Sequence, residues 1–205
     1  MAEENQITLF TDFDNTIIAE HAAKRLLFRL FQRNPLDLAK KALEAFFRYG
    51  VSGAAFIQAI SSLDKKTRTA IVEDVVPRLT FNTRWIRELQ KLLTKYPNVM
   101  NIKIVVITRN IADIPRLFMQ LHGNEIRELT KGRYKGDLVV IGNEGLSQSV
   151  LYAAAESLTV ADIINNSREK VRFIKNKNAI FFGDDEEYRQ IVGKTNLKNL
   201  LFFRV

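Results

Sequence analysis

The chain has 205 residues, of which 46% are hydrophobic and 26% charged, a composition typical of a globular protein and not of a disordered one. It contains no cysteine, which excludes disulfides, cysteine-ligated zinc and thiol catalysis. The formal net charge of +8 favours phosphate-bearing partners, without choosing among nucleic acid, anionic lipid and small phosphorylated metabolites.

The sequence also predicts where in the cell the protein is found and which kind of metal it could bind. Residues 1–6 are polar and acidic, unlike a signal peptide, and no apolar run approaches the roughly 20 residues that span a bilayer. We therefore predict a cytoplasmic protein without a transmembrane segment, for which peripheral membrane contact stays open. The two histidines, His21 and His122, lie far apart in sequence, so any metal is expected to use oxygen ligands, as Mg²⁺ and Ca²⁺ do.

The first half of the chain predicts one strand followed by helices. Residues 7–11 form an apolar, β-branched run that stops at Asp12, which indicates a buried strand. From residue 19 to residue 83 the hydrophobic period becomes helical, with breaks at Pro35 and Gly50. This pattern predicts four helices, the last over residues 65–77, inserted directly behind the first strand.

The second half alternates between strands and helices. A helix is predicted over residues 83–96 and a strand over 101–108, after which Asn110 and Asp113 resemble the start of a helix that runs towards Gly123. Residues 130–142 indicate a hairpin or a further strand. Helical patterns over 146–158 and 167–175 precede a buried strand at 179–182, a helix and a last strand at 200–204. The alternation predicts an α/β fold with a doubly wound, mainly parallel sheet.

Polar residues follow the apolar strand in three segments, "ITLFT-DFDNT", "IVVI-TRN" and "AIFFG-DDEEY". The carboxyl ends of parallel strands lie along one edge of the sheet, so these clusters are expected to meet there. Each cluster also has a purely structural interpretation as a turn or a helix cap. Together, however, four carboxylates at one edge need a cation such as Mg²⁺ to offset their repulsion. The residues expected at this edge are Asp12, Asp14, Thr108, Asp184 and Asp185.

These residue types fit phosphoryl transfer. One carboxylate can attack phosphorus and form an aspartyl phosphate, while a second carboxylate two residues later acts as general acid and base. The Thr108 hydroxyl can hold a phosphoryl oxygen. A lysine is needed to balance the charge, and we favour Lys170 near the start of a predicted helix, with Lys131 and Lys135 as competitors.

The motifs "DFDNT", "VVITRN", a helix-borne lysine and "FFGDD", in this order, resemble the four motifs of the haloacid dehalogenase (HAD) superfamily of phosphohydrolases. The resemblance covers nearly the whole chain and implies a three-layer, Rossmann-like core. It implies the following roles: Asp12 as nucleophile, Asp14 as general acid/base, Thr108 as phosphate-binding residue, Lys170 as the charge-balancing lysine, and Asp12, Asp14, Asp184 and Asp185 as Mg²⁺ ligands.

The helical insertion is similar to the small cap of the phosphoserine phosphatase-like branch. The resemblance then implies a core of residues 1–16 and 84–205 with a cap of residues 17–83, and substrate contacts from Glu20, Arg109 and Asn110. This chain reads "TRN" where that branch usually has Ser-Gly-Gly, and Tyr188 stands where a second acid of the last motif would fall. These departures concern the identity of the substrate more than the reaction.

The leading hypothesis is therefore a magnesium-dependent phosphatase acting on a small phosphorylated substrate. A phosphotransferase or phosphomutase would use the same intermediate. A different alternative is a catalytically silent binding protein whose basic cap binds anionic lipid or nucleic acid. This alternative rests on residues 24–48, which carry seven Lys or Arg and two acids, with phenylalanines between them. The simpler interpretation of that stretch is a solvated helix face.

Overall fold

The computed structural model describes residues 6–33, 36, 39–40, 43, 60, 63–143, 174, 179–192 and 200–205. Its helices and strands are, in chain order, β1 (Gln6–Thr11), α1 (Ala22–Arg33), α2 (Lys65–Val75), α3 (Thr83–Lys95), β2 (Asn101–Ile111), α4 (Asp113–Leu121), α5 (Gly123–Leu129), β3 (Tyr134–Asn143), β4 (Ala179–Gly183), α6 (Asp185–Glu187) and β5 (Leu200–Arg204). None of the helices in these ranges is long and apolar enough to cross a membrane.

The five strands form one sheet in the order β3-β2-β1-β4-β5, and every neighbouring pair is parallel. The predicted α/β fold with a parallel sheet is thus confirmed. β1 lies at the centre, where Thr11 pairs with Val106 of β2 on one side and with Phe182 of β4 on the other. The residues that follow β1 and β4 therefore lie at the same edge of the sheet, beside the last residues of β2.

Both faces of the sheet are covered by apolar side chains, as a parallel sheet requires. On one face, α3 contributes its buried stripe to a large cluster, including Trp85 and Leu89. A smaller cluster covers the other face and includes Phe10, Ile107 and Phe181. Burial on both sides explains why these strands read as continuous apolar runs in the sequence and not as alternating ones.

Residues 134–143 form a strand parallel to β2, which is one of the two alternatives that the sequence left open, and no hairpin. The end of β2 differs from the sequence prediction. This strand runs three residues past the predicted end, because Ile111 still pairs with Asn143 of β3. Asn110 therefore lies inside a strand, and its predicted role as a helix cap is wrong. The helix begins instead at Asp113, with Pro115 in the first turn, where no backbone N–H is needed.

The insertion behind β1 contains α1 and α2. α1 buries Leu26 and Leu30, and α2 is capped by Asp64, whose carboxylate accepts a hydrogen bond from the Thr67 N–H at 2.9 Å. Hydrogen bonding from the Thr67 side chain first, and then from its backbone N–H, holds the pKa of Asp64 below its ordinary value. α2 ends at Val75 and continues as a single 3₁₀ turn around Pro77, slightly short of the predicted helix.

Two antiparallel segments connect this insertion to the sheet. Ile18 pairs with Phe81, and the Asn82 N–H donates to the Ile17 carbonyl at 2.8 Å. Four predicted helices lie outside the described residues, apart from single positions. These are the second and third predicted cap helices, over residues 34–62, and the helices predicted at 146–158 and 167–175. The division into core and cap stays a prediction.

Phe118 is 0% exposed, and its ring lies 5.5 Å from that of Phe13 and 5.0 Å from that of Phe81. Phe118→Ala leaves a cavity at this contact between α4 and the chain behind β1. We expect the free energy of unfolding to fall by about 3–5 kcal/mol, measured by urea denaturation. Phe31→Ala is the matched control, because Phe31 is 57% exposed and should change stability by less than about 0.5 kcal/mol. Equal losses in both variants would contradict this description of the core.

Candidate active site

Asp12 is the first residue after the central strand and is only 5% exposed. Its backbone N–H donates to the Phe182 carbonyl at 3.0 Å, and its own carbonyl accepts from the Thr11 hydroxyl at 2.8 Å. The first bond extends the pairing of β1 with β4 by one residue, and the second is local. The backbone of Asp12 is therefore held at the carboxyl edge of the sheet, where the sequence predicts this residue to lie.

A tight turn over residues 13–17 reverses the chain directly after Asp12. Asn15 adopts a left-handed conformation (φ 56°), which asparagine tolerates better than most residues. Two hydrogen bonds stabilise the turn. The Asn15 N–H donates to the Glu20 carbonyl at 3.2 Å, and the Asn82 side chain donates to the Asn15 carbonyl at 2.9 Å. Asn82 also caps α3, so the start of that helix holds the turn.

Asp14 forms hydrogen bonds that connect the turn, the insertion behind β1 and the sheet. One carboxylate oxygen accepts from the Ala22 N–H at 2.6 Å, and the other accepts from the Asn110 side-chain amide at 3.2 Å. Ala22 is the first residue of α1, so the carboxylate also lies at the positive end of that helix. Both oxygens of Asp14 are thus oriented by neighbours that belong to two different elements.

Thr108 and Asn110 are buried near the end of β2. The Thr108 hydroxyl oxygen accepts from the Asn110 N–H at 3.1 Å, and the Asn110 amide oxygen accepts from the Ile111 N–H at 2.8 Å. The second bond fixes the amide, so that its NH₂ group is the one facing Asp14. Gly142 permits this arrangement, because a Cβ there would lie 2.9 Å from the Asn110 carbonyl oxygen and 3.0 Å from Cγ2 of Thr108.

Asp184 and Glu187 form a reciprocal cap after β4. The Asp184 carboxylate accepts from the Glu187 N–H at 3.0 Å, and the Glu187 carboxylate accepts from the Asp184 N–H at 3.1 Å. Glu187 is fully buried, and Gly183 leaves it room, since a Cβ on Gly183 would lie 2.8 Å from that of Glu187. The sequence interpretation missed this role of Glu187, although the Asp-x-x-Glu spacing is the signal of a capping box.

Asp185 differs from the other acids. Its exposed carboxylate forms an ion pair with Arg204 at the end of β5. The hydrogen bond from the Arg204 guanidinium holds the pKa of Asp185 below its ordinary value of 3.8. Because this carboxylate is bound to Arg204, we leave Asp185 out of the metal ligands proposed below.

The remaining predicted residues fall into three groups. Glu20 is partly buried and forms an ion pair with Arg25, while Arg109 is partly exposed at the end of β2. Lys170 lies outside the described residues. Lys131 and Lys135 flank the first residue of β3, which pairs with Ile102 at the start of β2. They therefore lie at the opposite edge of the sheet from Asp12 and cannot complete this site.

Of the predicted metal ligands, Asp12 and Asp184 are the acids that directly follow β1 and β4 at this edge, whereas the Asp14 carboxylate accepts hydrogen bonds from Ala22 and Asn110. In the part of the chain that the structure describes, no group of three or more His, Cys, Asp or Glu residues is placed to hold a metal ion. Mg²⁺ does not need such a group, because it keeps several waters and is usually held by one or two carboxylates together with phosphate oxygens. Two carboxylates at the sheet edge therefore fit Mg²⁺, and do not form a cage for a metal that needs more protein ligands.

Neither a protein-family model nor a curated protein sequence matches this chain. The chain is similar in fold to HAD-domain proteins and phosphoserine phosphatases. The HAD domain of effector protein Lem4 from Legionella pneumophila is 12% identical and aligns over 97% of this chain and 85% of that chain, with a TM-score of 0.41. A phosphoserine phosphohydrolase-like protein from Francisella tularensis is 14% identical over 97% and 95%, with a TM-score of 0.46.

A phosphoserine phosphatase solved as a phospho-aspartyl intermediate analogue is 15% identical and aligns over 98% of this chain and 95% of that chain, with a TM-score of 0.44. Because the identities are 12–15% and the TM-scores are below 0.5, these likenesses do not decide what the chain does. We therefore base the proposed function on the residues of this chain alone.

The ion pair of Asp185 predicts a pH dependence of stability. The folded-state pKa of Asp185 lies below its unfolded value, so the pair stabilises the fold above about pH 4, and this contribution is lost as the pH falls through the folded-state pKa. We expect Arg204→Gln to lower the urea midpoint at pH 7, and we expect this deficit to shrink as the pH falls from about 4 towards about 2. Arg87→Gln, on the exposed side of α3, serves as the control. A deficit of Arg204→Gln that stays constant between these pH values would refute the assignment.

Proposed function

We propose that the chain is a Mg²⁺-dependent phosphatase that hydrolyses a phosphomonoester through an aspartyl phosphate on Asp12. The observation that supports this most strongly is the pair of acids behind β1. Asp12 is buried with its backbone held at the sheet edge, whereas Asp14, two residues later, is held by the Ala22 N–H and the Asn110 amide. A nucleophile and a separately oriented acid/base are the two groups that a double-displacement hydrolysis needs.

The reaction would run in two displacements. In the first, a carboxylate oxygen of Asp12 bonds to phosphorus, the bond from phosphorus to the ester oxygen breaks, and Asp14 gives its proton to the leaving alkoxide. In the second, Asp14 takes a proton from water as the water oxygen bonds to phosphorus. The bond between Asp12 and phosphorus then breaks, which restores the carboxylate and releases inorganic phosphate.

Other residues would hold the phosphoryl group. The Thr108 hydroxyl oxygen accepts a hydrogen bond from the Asn110 N–H, which orients the hydroxyl towards donating its own proton to a phosphoryl oxygen. Lys170 and Arg109 are the cations proposed to offset phosphoryl charge. Mg²⁺, held by Asp12 and Asp184, would neutralise part of the negative charge on the phosphoryl oxygens when bound. Glu20 stays a proposed substrate contact, in competition with its ion pair to Arg25.

We assign Asn110 a positioning role that differs from the substrate contact predicted from sequence. Its amide oxygen is bonded to the Ile111 N–H and its NH₂ group to Asp14, so its side chain is directed at the acid/base. A hydrogen bond donated to a carboxylate favours the ionised form. Asn110 would therefore set both the orientation of Asp14 and the pH range in which Asp14 changes protonation state.

The proposal favours an enzyme over a silent binding protein for a physical reason. A pair of acids at one sheet edge, of which Asp12 is buried, costs desolvation and repulsion, and a protein that only binds phosphate has no need of the second acid. Transfer of the phosphoryl group to an alcohol in place of water would use the same residues. No contact in the described part of the chain favours that transfer over hydrolysis.

Replacing the nucleophile tests the reaction directly. We expect Asp12→Asn to lower kcat for hydrolysis of p-nitrophenyl phosphate by more than about 10³-fold, because the amide oxygen cannot replace the attacking carboxylate. Asp64→Asn, which makes the same change at the cap of α2, should keep the activity. Chelation with EDTA should also abolish turnover, and Mg²⁺ should restore it. Full turnover by Asp12→Asn would exclude Asp12 as the nucleophile.

Replacing Asn110 tests its positioning role. Asn110→Ala should lower kcat by about 10-fold to 100-fold, since general acid–base catalysis is worth about 10²–10⁴-fold and only the orientation of Asp14 is lost. The limb of the pH–rate profile governed by Asp14 should move to higher pH, and further so in Asn110→Asp, where a second carboxylate faces the first. Asn124→Ala, at an exposed position of α5, is the control. If kcat falls in Asn110→Ala but the pH–rate profile does not shift, Asn110 has only a structural role and the positioning role is excluded.

A further inference from the structure

α1 carries large apolar side chains on two faces. Leu26 and Leu30 are buried against the rest of the protein, but Phe28 and Phe31 are 66% and 57% exposed. Residues three apart on a helix share one face, so the two phenylalanines form a pair that points away from the core. A helix that only packs against its own protein has no need of this second apolar face.

The exposed apolar residues are concentrated in this part of the chain. Among the described residues, eight large hydrophobic side chains are exposed, and four of them fall between residues 28 and 43. The two that follow the phenylalanines are Leu36 and Leu43, which are 85% and 57% exposed. We call these four side chains, Phe28, Phe31, Leu36 and Leu43, the apolar set.

Positive charge adjoins Phe28, the first member of the apolar set. α1 and α2 form a groove of about 670 Å³ whose lining includes Lys24, Arg25, Arg29, Asp74 and Phe28. The carboxylate of Asp74 forms ion pairs with three guanidinium groups, with N···O distances of 2.6 to 3.3 Å. These belong to Arg29, Arg33 and Arg78.

The charges of this region do not balance. Arg29 is the main cause of a pKa of Asp74 below its ordinary value, so this carboxylate is ionised at neutral pH. A single carboxylate still leaves two of its three arginines uncompensated. Lys24 adds a further positive charge, while Arg25 is matched by Glu20. The groove therefore offers a net positive surface next to Phe28, on the helix that also carries Phe31.

We propose that this surface binds an anionic phospholipid membrane, with the apolar set entering the boundary between headgroups and acyl chains and the groove cations meeting lipid phosphates. Apolar side chains beside Lys and Arg are the combination by which peripheral proteins bind such membranes. The inference does not depend on the proposed catalysis, because none of these residues belongs to the proposed active site.

The composition of the apolar set favours a membrane over nucleic acid. Single strands are held by aromatic rings that stack on bases, and the two leucines have no ring to stack. A small soluble phosphorylated ligand would use the groove alone and would leave all four apolar side chains in water. Only an extended surface that is both anionic and apolar accommodates the groove and the apolar set together.

The test is co-sedimentation of the full chain with vesicles. We expect the protein to pellet with vesicles of 70% phosphatidylcholine and 30% phosphatidylserine at low salt, and to remain in the supernatant with phosphatidylcholine alone. Raising the salt should release it, because exposed charges are screened within about 10 Å at 0.1 M and about 3 Å at 1 M ionic strength. Absence from the anionic vesicles at low salt, or equal binding to both compositions, would overturn the proposal.

Two pairs of variants assign the binding to this surface. Phe28→Ser with Phe31→Ser should lower vesicle binding at least about five-fold, whereas Leu121→Ser, at an exposed apolar position on α4, should not. Lys24→Glu should weaken binding to anionic vesicles, whereas Lys91→Glu on α3 should not. Unchanged binding in the double serine variant or in Lys24→Glu would place the membrane contact elsewhere.

Three further measurements exclude other occupants of the surface. If the protein is a dimer that the double serine variant converts to a monomer, a second copy covers the apolar set. If that variant loses as much stability in urea as Phe118→Ala, the chain itself covers it. If a single-stranded oligonucleotide competes for the same residues and vesicles do not bind, nucleic acid is the partner. Each of these results overturns the proposal, and their absence together with vesicle binding supports it.

Discussion

The Asp14 carboxylate is the contact on which the arrangement of the site depends. It joins the first N–H of α1 to the Asn110 amide, and these two donors belong to the insertion behind β1 and to the neighbouring strand. A carboxylate with both oxygens bonded can be neither rotated nor displaced without breaking a bond to one of these elements. The turn behind β1, the start of α1 and the end of β2 are consequently held at fixed positions relative to Asp12.

Close packing behind the site makes this arrangement possible. Gly142 brings β3 against Cγ2 of Thr108 and the carbonyl oxygen of Asn110, and Gly183 brings the end of β4 against Glu187. At both positions a methyl group would be nearer to its neighbours than real Cβ atoms come, so it would displace the strand end that carries a site residue. The glycines therefore act on the site indirectly, through the spacing of the strands behind it.

Two regions of opposite charge lie at the two ends of the contacts made by α1. Acidic residues follow β1 and β4 at the carboxyl edge of the sheet, where Asp12 and Asp184 fit a divalent cation. Basic residues line α1 and the groove beside it, where Asp74 forms ion pairs with three arginines. α1 connects the two regions, because its first residue bonds Asp14 and its middle carries the exposed Phe28. A protein bound through α1 would keep the sheet edge within one helix length of the membrane.

The sequence by itself determined the parallel α/β fold and the place of Asp12, Asp14 and Asp184 after buried strands, because an apolar run followed by polar residues is a local pattern. Tertiary structure decided which partner each side chain took. Asn110 bonds Asp14 across 96 positions of chain, and Asp185 bonds Arg204 across 19. The extra length of β2 and the edge at which Lys131 lies depend on register with β3. Register and long-range partners arise from packing between elements, and no local periodicity encodes them.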